Sequence, residues 1–397
     1  MLTSATKKRL SMAFVATALI GGAALSGGAK ADPKQLTALA GVGSDTVQDV
    51  FNAFAGYTNG TDYAPLHSSA ASGSRQVISF DAINPVNIAD TCITTKLGGP
   101  TFDRPNGSGS GQKALSRNID GTKWGTAACG GLVDVSGQVD FGRSSSGPSV
   151  TTTSELTFIP FGRDGVSFAY YSKTGTPVTT LTRAQLTSLY TTGPQVIGGI
   201  RVVPCGIQNG SGTFKFWNSV TTATTAQEIT ATAECNALVT NTLGGRLEEN
   251  DGTALKLRGD TGNAGDEYIV GFSAASFIAK SNLAAPGQPP AGVNMGSIDF
   301  GASPAAGVQN PVAGTAPNLT PNGTFYADTV FGRNVYSVWP TTSVTGLGNA
   351  DIKSLVVGST SAVCSATNTI QKFGFLSLGA NCGTTTTTGA LVAGQTN

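Results

Sequence analysis

The 397-residue sequence has few of the side chains that metal sites and hydrolases use. It contains one histidine, His67, and none of its six cysteines forms a C-x-x-C pair. Because zinc sites draw on closely spaced cysteine and histidine ligands, these absences argue against a zinc site. A serine triad would have to use His67, which lies in a polar, loop-like stretch. We therefore expect no metal, no cofactor and no catalytic histidine.

Sequence motifs of nucleotide-binding and serine enzymes are also missing. There is no P-loop, and no G-x-S-x-G surrounds a serine of the glycine-rich turns. An S-x-x-K (Ser110 to Lys113) and a K-T-G (Lys173 to Gly175) are present, but no S-D-N lies between them. The nearest match, Ser44-Asp45-Thr46, precedes both. We expect no enzymatic activity; a secreted hydrolase that uses Ser110 is the alternative.

Charge is scarce, since Asp, Glu, Lys and Arg together make up 12% of the chain. Residues 1–31 hold four basic residues and no acid, so their removal changes the formal net charge from +1 to −3. That balance excludes a basic nucleic-acid-binding protein. No later stretch has the roughly 20 apolar residues of a membrane span. We expect neither a nucleic-acid partner nor a membrane-embedded chain.

Residues 1–31 have the organisation of a secretory signal peptide. A basic segment at Lys7 to Arg9 precedes an apolar run from Met12 to about Leu25, and Ala29-Lys30-Ala31 matches a cleavage site. No cysteine near this site supports a lipoprotein anchor. The mature protein is expected to be secreted, or periplasmic within the cell envelope; a retained N-terminal anchor is the alternative.

All six cysteines lie in the mature part, and an even number in an exported chain favours disulfides. Six cysteines allow 15 pairings. We predict that neighbours in the sequence pair, which gives the bridges Cys92–Cys129, Cys205–Cys235 and Cys364–Cys382.

Strand-like and helix-like segments alternate along the chain, which favours α/β lobes. The longest strand candidate, Leu156 to Tyr171, is predicted to cross between lobes. Thr182 and Gln185 have the spacing of a capping box at the start of a helix. Ser44 or Asp45 is expected to cap an earlier helix.

The tetrapeptide Asn-Gly-Ser-Gly occurs twice, at 106–109 and 209–212, each time before a helix-like segment. Gly41 to Thr46 has the same glycine-serine character. Turns of this kind present backbone N–H groups and small hydroxyls at the positive end of a helix, which suits an oxyanion. Three such turns, far apart in the sequence, predict a ligand held between separate parts of the protein.

The three turns, together with Val139 to Ser144 (VDFGRS) and Leu181 to Leu186, resemble the substrate-binding proteins of phosphate-specific ABC transporters. The resemblance implies a two-lobed type II periplasmic-binding-protein fold, a phosphate-like oxyanion in the cleft between the lobes and an ABC permease as partner. The domains it implies are a signal peptide (1–31), a first lobe (32–165 and 330–383), a second lobe (166–329) and a flexible tail (384–397).

Carried over position by position, the resemblance implies ligand contacts in the three turns and beside the VDFGRS segment. The candidate ligand-binding residues are Ser44, Asp45, Thr46, Gly107, Ser108, Gly109, Ser110, Arg143, Ser144, Ser145, Asp164, Asn209, Ser211, Gly212 and Thr213.

Two positions depart from the pattern of the family. Ser145 stands where phosphate binders place an aspartate, and Ile207 stands where they place an arginine. Arg143, Asp164, Arg104 and Arg163 are candidates to replace these charges. The alternative function is a secreted structural or interaction protein that keeps the fold without a tight phosphate site.

Overall fold

The computed structural model describes residues 38–68, 74–84, 86–301 and 306–397. The predicted signal peptide lies outside these ranges. The strands, in chain order, are β1 (Leu39–Gly43), β2 (Tyr57–Thr58), β3 (Thr61–Asp62), β4 (Val77–Ser79), β5 (Cys92–Ile93), β6 (Phe102–Asp103), β7 (Phe141–Ser144), β8 (Leu156–Ser172), β9 (Thr180–Thr182), β10 (Gln195–Ile197), β11 (Ile200–Pro204), β12 (Asp266–Ser273), β13 (Asn294–Met295), β14 (Ser297–Asp299), β15 (Val308–Gln309), β16 (Val312–Ala313), β17 (Thr320–Pro321), β18 (Gly332–Pro340) and β19 (Thr388–Gly389).

The helices surround these strands, and two short 3-10 segments, Ala127–Cys129 and Gly379–Asn381, accompany them. The α-helices are α1 (Gln48–Phe54), α2 (Ser108–Asp120), α3 (Arg183–Thr192), α4 (Gly212–Thr221), α5 (Thr225–Ala231), α6 (Ala233–Ala237), α7 (Gly252–Thr261), α8 (Ala274–Ser281), α9 (Gly323–Ala327), α10 (Thr341–Val344), α11 (Ala350–Val356), α12 (Ala362–Ser365) and α13 (Thr367–Lys372). None of the helices in the described ranges has the length and apolar character needed to span a lipid bilayer.

The central sheet has the strand order β10-β11-β12-β8-β18-β7-β1-β4. The long strand β8 joins its two halves: from Leu156 to Gly165 it pairs with β18, and from Val166 onward it pairs with β12. We call the half with β18, β7, β1 and β4 the first lobe and the half with β12, β11 and β10 the second lobe. The predicted α/β fold with two lobes, in which β8 crosses between them, is confirmed.

Each lobe has its own apolar core. In the first lobe β1 is buried on both faces of the sheet: Leu39 packs in one cluster with Phe51, and Val42 packs in another with Leu115. A central parallel strand covered on both faces is expected to be apolar throughout, as β1 is. The core of the second lobe includes Trp217 of α4. The loops that follow the buried strands therefore have fixed positions.

Three disulfides tie connecting segments to these cores. The bridges are Cys92–Cys129, Cys205–Cys235 and Cys364–Cys382, which confirms the predicted pairing. Cys205 directly follows β11 and is bonded to α6, so the bridge fixes the start of the loop that leads to α4.

One predicted helix start is confirmed and another is wrong. Thr182 and Gln185 form the predicted capping box at the start of α3. The N-cap of α1, however, is Val47, and no side chain caps this helix. Neither Ser44 nor Asp45 is its cap, because both belong to a turn that ends before the first helical residue. Their side chains are buried instead.

The residues expected to form a flexible tail, 384–397, form an ordered strap over the first lobe. β19 pairs with β8, and Leu391 and Val392 pack beside the apolar cluster that holds Leu115. At the end of the strap, the Asn397 side chain accepts a hydrogen bond from the backbone N–H of Asn106 at 3.1 Å. The threonine-rich composition suggested disorder. Backbone pairing of β19 with β8, together with these side-chain contacts, instead holds the segment in one conformation.

Candidate functional site

Four loops meet where the two lobes touch. β1 leads to Ser44, β7 leads to Ser145, and the two Asn-Gly-Ser-Gly turns open α2 and α4. Gly43 forms a parallel bridge with Asn106, and the Gly109 N–H donates to the Gly210 carbonyl at 3.0 Å. Because the carboxyl ends of parallel strands share one edge of a sheet, turns that are far apart in sequence lie close together there.

Glycine is required where the two Asn-Gly-Ser-Gly turns approach each other. Gly107 has a φ of 87°, and a Cβ there would lie 2.5 Å from the Gly210 carbonyl oxygen. Gly111 packs in the same way against β1, since its Cβ would lie 2.6 Å from the Cα of Gly43. Any larger residue would push these backbones apart.

Two serine hydroxyls face the start of α4. The Ser108 and Ser145 hydroxyl oxygens lie 3.2 Å apart, and the Ser145 N–H donates to the Ser108 hydroxyl at 3.0 Å. A Cβ on Gly212 would lie 2.5 Å from both hydroxyl oxygens. The structure therefore brings Ser108, Ser145 and Gly212, three of the predicted ligand-binding residues, into one buried group.

The start of α4 is held by its own cap and by a chain of hydroxyls. The Ser211 hydroxyl accepts from the Thr213 and Phe214 N–H groups at 2.8 and 3.3 Å. The Thr213 hydroxyl lies 3.3 Å from that of Thr46 in the first lobe. The two lobes are thus linked by hydroxyl groups that can donate or accept hydrogen bonds.

Arg333 on β18 adds a buried cation that the sequence reasoning missed. Its Nη2 donates to Asp164 at 2.9 Å and to the Thr213 hydroxyl at 2.8 Å. Asp164 also accepts from the Ala275 N–H, at the start of α8. Burial raises the pKa of Asp164 even though Arg333 opposes this shift. The predicted Asp164 is therefore in the site, but as the ion-pair partner of Arg333.

A cluster of three buried carboxylates borders the same turns. Asp45 of the first lobe and Glu248 and Glu249 of the second lobe each place an oxygen within 4.8 Å of the others. The Thr46 hydroxyl donates to Glu249 at 2.9 Å. Gln208 donates to Glu248 at 2.5 Å. This acidic cluster was not predicted beyond Asp45.

Burial raises the pKa of all three carboxyl groups. Desolvation, and then the charge of Glu248, raises the pKa of Asp45 to about 8. Desolvation, and then the charge of Asp45, raises that of Glu249 to about 8. The spacing of the three oxygens suits a cation, but protons must leave first, which weakens binding of a metal at neutral pH.

Several predicted residues support the turns rather than line the site. The buried guanidinium of Arg143 donates to the carbonyls of Gly41, Gly43 and Ser44, and burial lowers its pKa to about 10. Ser144 accepts from Gln112 at 2.9 Å. Arg143 therefore stabilises the first turn through its carbonyl groups and is not free to bind an anion.

Other predicted residues differ in exposure. Asn209 is exposed, so the turn directs it to solvent. The Ser44 and Ser110 hydroxyls are buried and have no hydrogen-bond partner among the described residues. Arg104 donates to the carbonyls of Asp81 and Cys92, and therefore holds the β5–β6 hairpin. His67 is exposed.

An open groove of about 670 Å³ lies beside the buried site and shares Arg333 with it. Its other polar lining residues are Ser146, Ser149, Arg163, Lys215, Thr329, Asn334 and Tyr336. Arg163, a candidate from the sequence, is here. It donates to Asn334 and to the carbonyls of Tyr326 and Asp328.

The missed residues had weak sequence signals. Arg333 lies in β18, and a single arginine in a strand carries no spacing motif. Glu248 and Glu249 are adjacent acids in a chain with few charged residues, and this pairing could have identified them as candidate site residues. Their position beside Asp45 depends on packing between the lobes.

No protein-family model matches the chain, and no curated protein matches it. Solved structures do. One is a high-affinity periplasmic phosphate-binding protein, PfluDING, bound with phosphate. Its sequence is 12% identical, the match covers 86% of this chain and 90% of that chain, and the TM-score is 0.46. Another is a phosphate-binding protein from Stenotrophomonas maltophilia. Its sequence is 14% identical, the match covers 86% of this chain and 91% of that chain, and the TM-score is 0.40.

Proposed function

We propose that this chain is an exported solute-binding protein without catalytic activity, and that it holds a small oxyanion such as phosphate between its lobes. The observation that carries the proposal is the meeting of two helix N-termini, α2 from the first lobe and α4 from the second. Each presents N–H groups and the positive end of its dipole, so an anion between them is stabilised from both sides.

Hydroxyl groups complete the donor set in this proposal. Ser108, Ser145, Thr46 and Thr213 are buried; Ser108 contacts Ser145 within the first lobe, and Thr46 contacts Thr213 across the lobes. Each hydroxyl can donate to one oxygen of a tetrahedral anion. Charge-assisted hydrogen bonds of this kind are about twice as strong as neutral ones.

Arg333 takes the place of the arginine that is missing at Ile207. It reaches Thr213 from β18, and its Nη1 is buried without a hydrogen-bond partner among the described residues. That N–H group is available to an oxyanion. The acidic cluster lies one hydroxyl away, since the Thr46 hydroxyl donates to Glu249.

Ligand entry requires the lobes to separate. The Gly109 N–H donates directly to the Gly210 carbonyl, so an anion that uses this donor must come between the two turns. β8 changes its partner strand at Gly165, so we place the hinge there. It would join the first lobe (32–165 and 330–383) to the second lobe (166–329). The liganded form would then dock on an ABC-type permease.

A secreted structural or interaction protein is the second candidate function. Two observations favour it: the Gly109 N–H donates directly to the Gly210 carbonyl, and three carboxylates border the turns. In this case the buried polar groups only join the lobes.

A thermal-shift screen with phosphate, sulfate, phosphonates and sugars distinguishes the two functions. A ligand at 100 times its Kd stabilises the fold by about 2.7 kcal/mol, which gives a clear rise in Tm. We expect phosphate or a related oxyanion to raise Tm, and sugars to leave it unchanged. If no oxyanion raises Tm at millimolar concentration, the second candidate is favoured. Labelling of Ser110 by a covalent serine probe would contradict the absence of catalytic activity.

A further inference from the structure

The groove beside the buried site has a lining that an inorganic oxyanion alone does not explain. Its volume of about 670 Å³ lies within the roughly 300–1,000 Å³ of pockets that hold drug-sized molecules. Phe216, Tyr336 and Pro148 give it apolar surface. A small tetrahedral anion bound between α2 and α4 would leave this space unfilled.

Lys215 gives the groove a cation that lacks a carboxylate partner. Its Nζ donates to the Ser149 hydroxyl at 3.0 Å, and no carboxylate of the described residues lies within ion-pair distance. The Nζ also lies 3.8 Å from the Cβ position of Gly109, in the first turn of α2. A cation at the positive end of a helix is unfavourable unless an anion binds beside it.

A second lysine strengthens this positive charge. Desolvation lowers the pKa of Lys215, and the positive charge of Lys113 on α2 lowers it further. Lys113 itself donates to the carbonyl of Thr396 and has no carboxylate partner in the described ranges. The groove is therefore cationic where Lys215 of α4 lines it, whereas the acidic cluster lies at Asp45, Glu248 and Glu249.

Arg333 connects the groove with the buried site. Its guanidinium contacts Thr213 inside the site, and its carbon lies 5.3 Å from the centre of the Phe216 ring in the groove. The buried site and the groove therefore share one guanidinium.

Building on the proposed function, we propose that the ligand is an organic phosphate with a second anionic group. Its phosphate binds between α2 and α4, its carbon skeleton lies against Phe216 and Tyr336, and its second anionic group, such as a carboxylate, binds Lys215 and Ser149.

Isothermal titration with three probes tests this assignment: inorganic phosphate, glycerol 3-phosphate and 3-phosphoglycerate. The last two have the same carbon chain length and differ in the carboxylate. We expect 3-phosphoglycerate to bind about 10-fold more tightly than glycerol 3-phosphate, since a charged hydrogen bond contributes on this scale. Lys215→Gln should remove most of that difference, and Ser149→Ala should reduce it. The exposed Lys123→Gln is the matched control and should retain it.

The outcomes separate the two proposals. If phosphate binds and the two organic phosphates have equal Kd values, the second anionic subsite is wrong and the proposed function stands. If the Kd ratio is unchanged in both Lys215→Gln and Ser149→Ala, the assignment to this groove is overturned. If none of the three probes binds, the proposed function fails and this inference fails with it.

Discussion

Arg333 and Asp164 are direct cross-strand partners on β18 and β8, and the Arg333 Nη2 lies 2.9 Å from the Asp164 Oδ2. Both side chains are buried, so each charge depends on the other for compensation. Asp164 immediately precedes Gly165, where β8 leaves its pairing with β18. The ion pair therefore lies at the junction of the lobes.

Arg333→Met should destabilise the protein by about 3–5 kcal/mol, because it leaves the Asp164 carboxylate buried without a partner. Urea unfolding measures the loss. The double variant Arg333→Met/Asp164→Leu should be less destabilised than the single variant, since no unpaired charge remains.

The matched control for this experiment is Arg201→Met. The Arg201 side chain is 36% exposed and pairs with the exposed Glu234 and with Asp266, each at 2.7 Å. A surface pair contributes about 0–1 kcal/mol. A loss at Arg333 no larger than that at Arg201 would contradict a buried, mutually dependent pair.

The acidic cluster predicts how stability depends on pH. Asp45 has a folded-state pKa of about 8 against an ordinary value of 3.8, so the folded protein retains a proton that the unfolded chain has lost between these values. The free energy of unfolding therefore falls as pH rises from about 4 to 8. Glu249 contributes in the same direction.

Asp45→Asn and Glu249→Gln should reduce this slope, because an amide does not titrate. Scanning calorimetry from pH 5 to 8 should show a Tm advantage over the wild type that increases with pH. Asp134→Asn, at an exposed position, serves as the control and should not change the slope. A variant Tm that stays parallel to that of the wild type across this range would refute the protonated cluster.

Gly107→Ala should weaken the contact between the two Asn-Gly-Ser-Gly turns. The new Cβ would lie 2.5 Å from the Gly210 carbonyl oxygen. Gly121→Ala is a close control, since Gly121 has a similar φ of 70° but no atom within 4 Å of its Cβ position. Gly121→Ala should lose about 1 kcal/mol from left-handed strain, and the ψ of 165° at Gly107, in a region nearly restricted to glycine, adds to the loss there. Only Gly107→Ala should lose more and show reduced oxyanion binding; equal losses would mean that the approach of the turns is unimportant.

Removal of residues 391–397 should loosen the start of α2. The strap contributes apolar contacts at Leu391 and Val392 and a hydrogen bond from Asn106 to Asn397. We expect faster hydrogen exchange of the α2 amides, while those of α4 in the second lobe act as an internal control. Unchanged exchange in α2 would show that the strap does not support this turn.

Much of the fold could be predicted because its signals are local. The Thr182 and Gln185 capping box, the apolar length of β8 and the order of the cysteines each depend on residues that are near in sequence. The glycine-serine turns were recognised for the same reason, since their spacing is a property of a few consecutive residues.

The missed features depend on contacts between the lobes. Arg333 reaches Thr213 across 120 positions, and Thr46 reaches Glu249 across 203. No spacing rule connects residues so far apart. Arg143 was predicted as a ligand residue that replaces a missing charge, but the register of β7 beside β1 directs it to the carbonyls beneath the first turn.

The most direct test of the account is the affinity for phosphate, measured by isothermal titration, of Ser211→Ala/Thr213→Ala. This variant removes the cap of α4 and the hydroxyl that contacts both Thr46 and Arg333. Thr224→Ala/Thr230→Ala, which removes the cap and a second hydroxyl of α5, is the matched control. We predict that the control binds phosphate as the wild type does and that the α4 variant does not. Equal phosphate affinity in all three proteins would contradict an oxyanion site between the lobes.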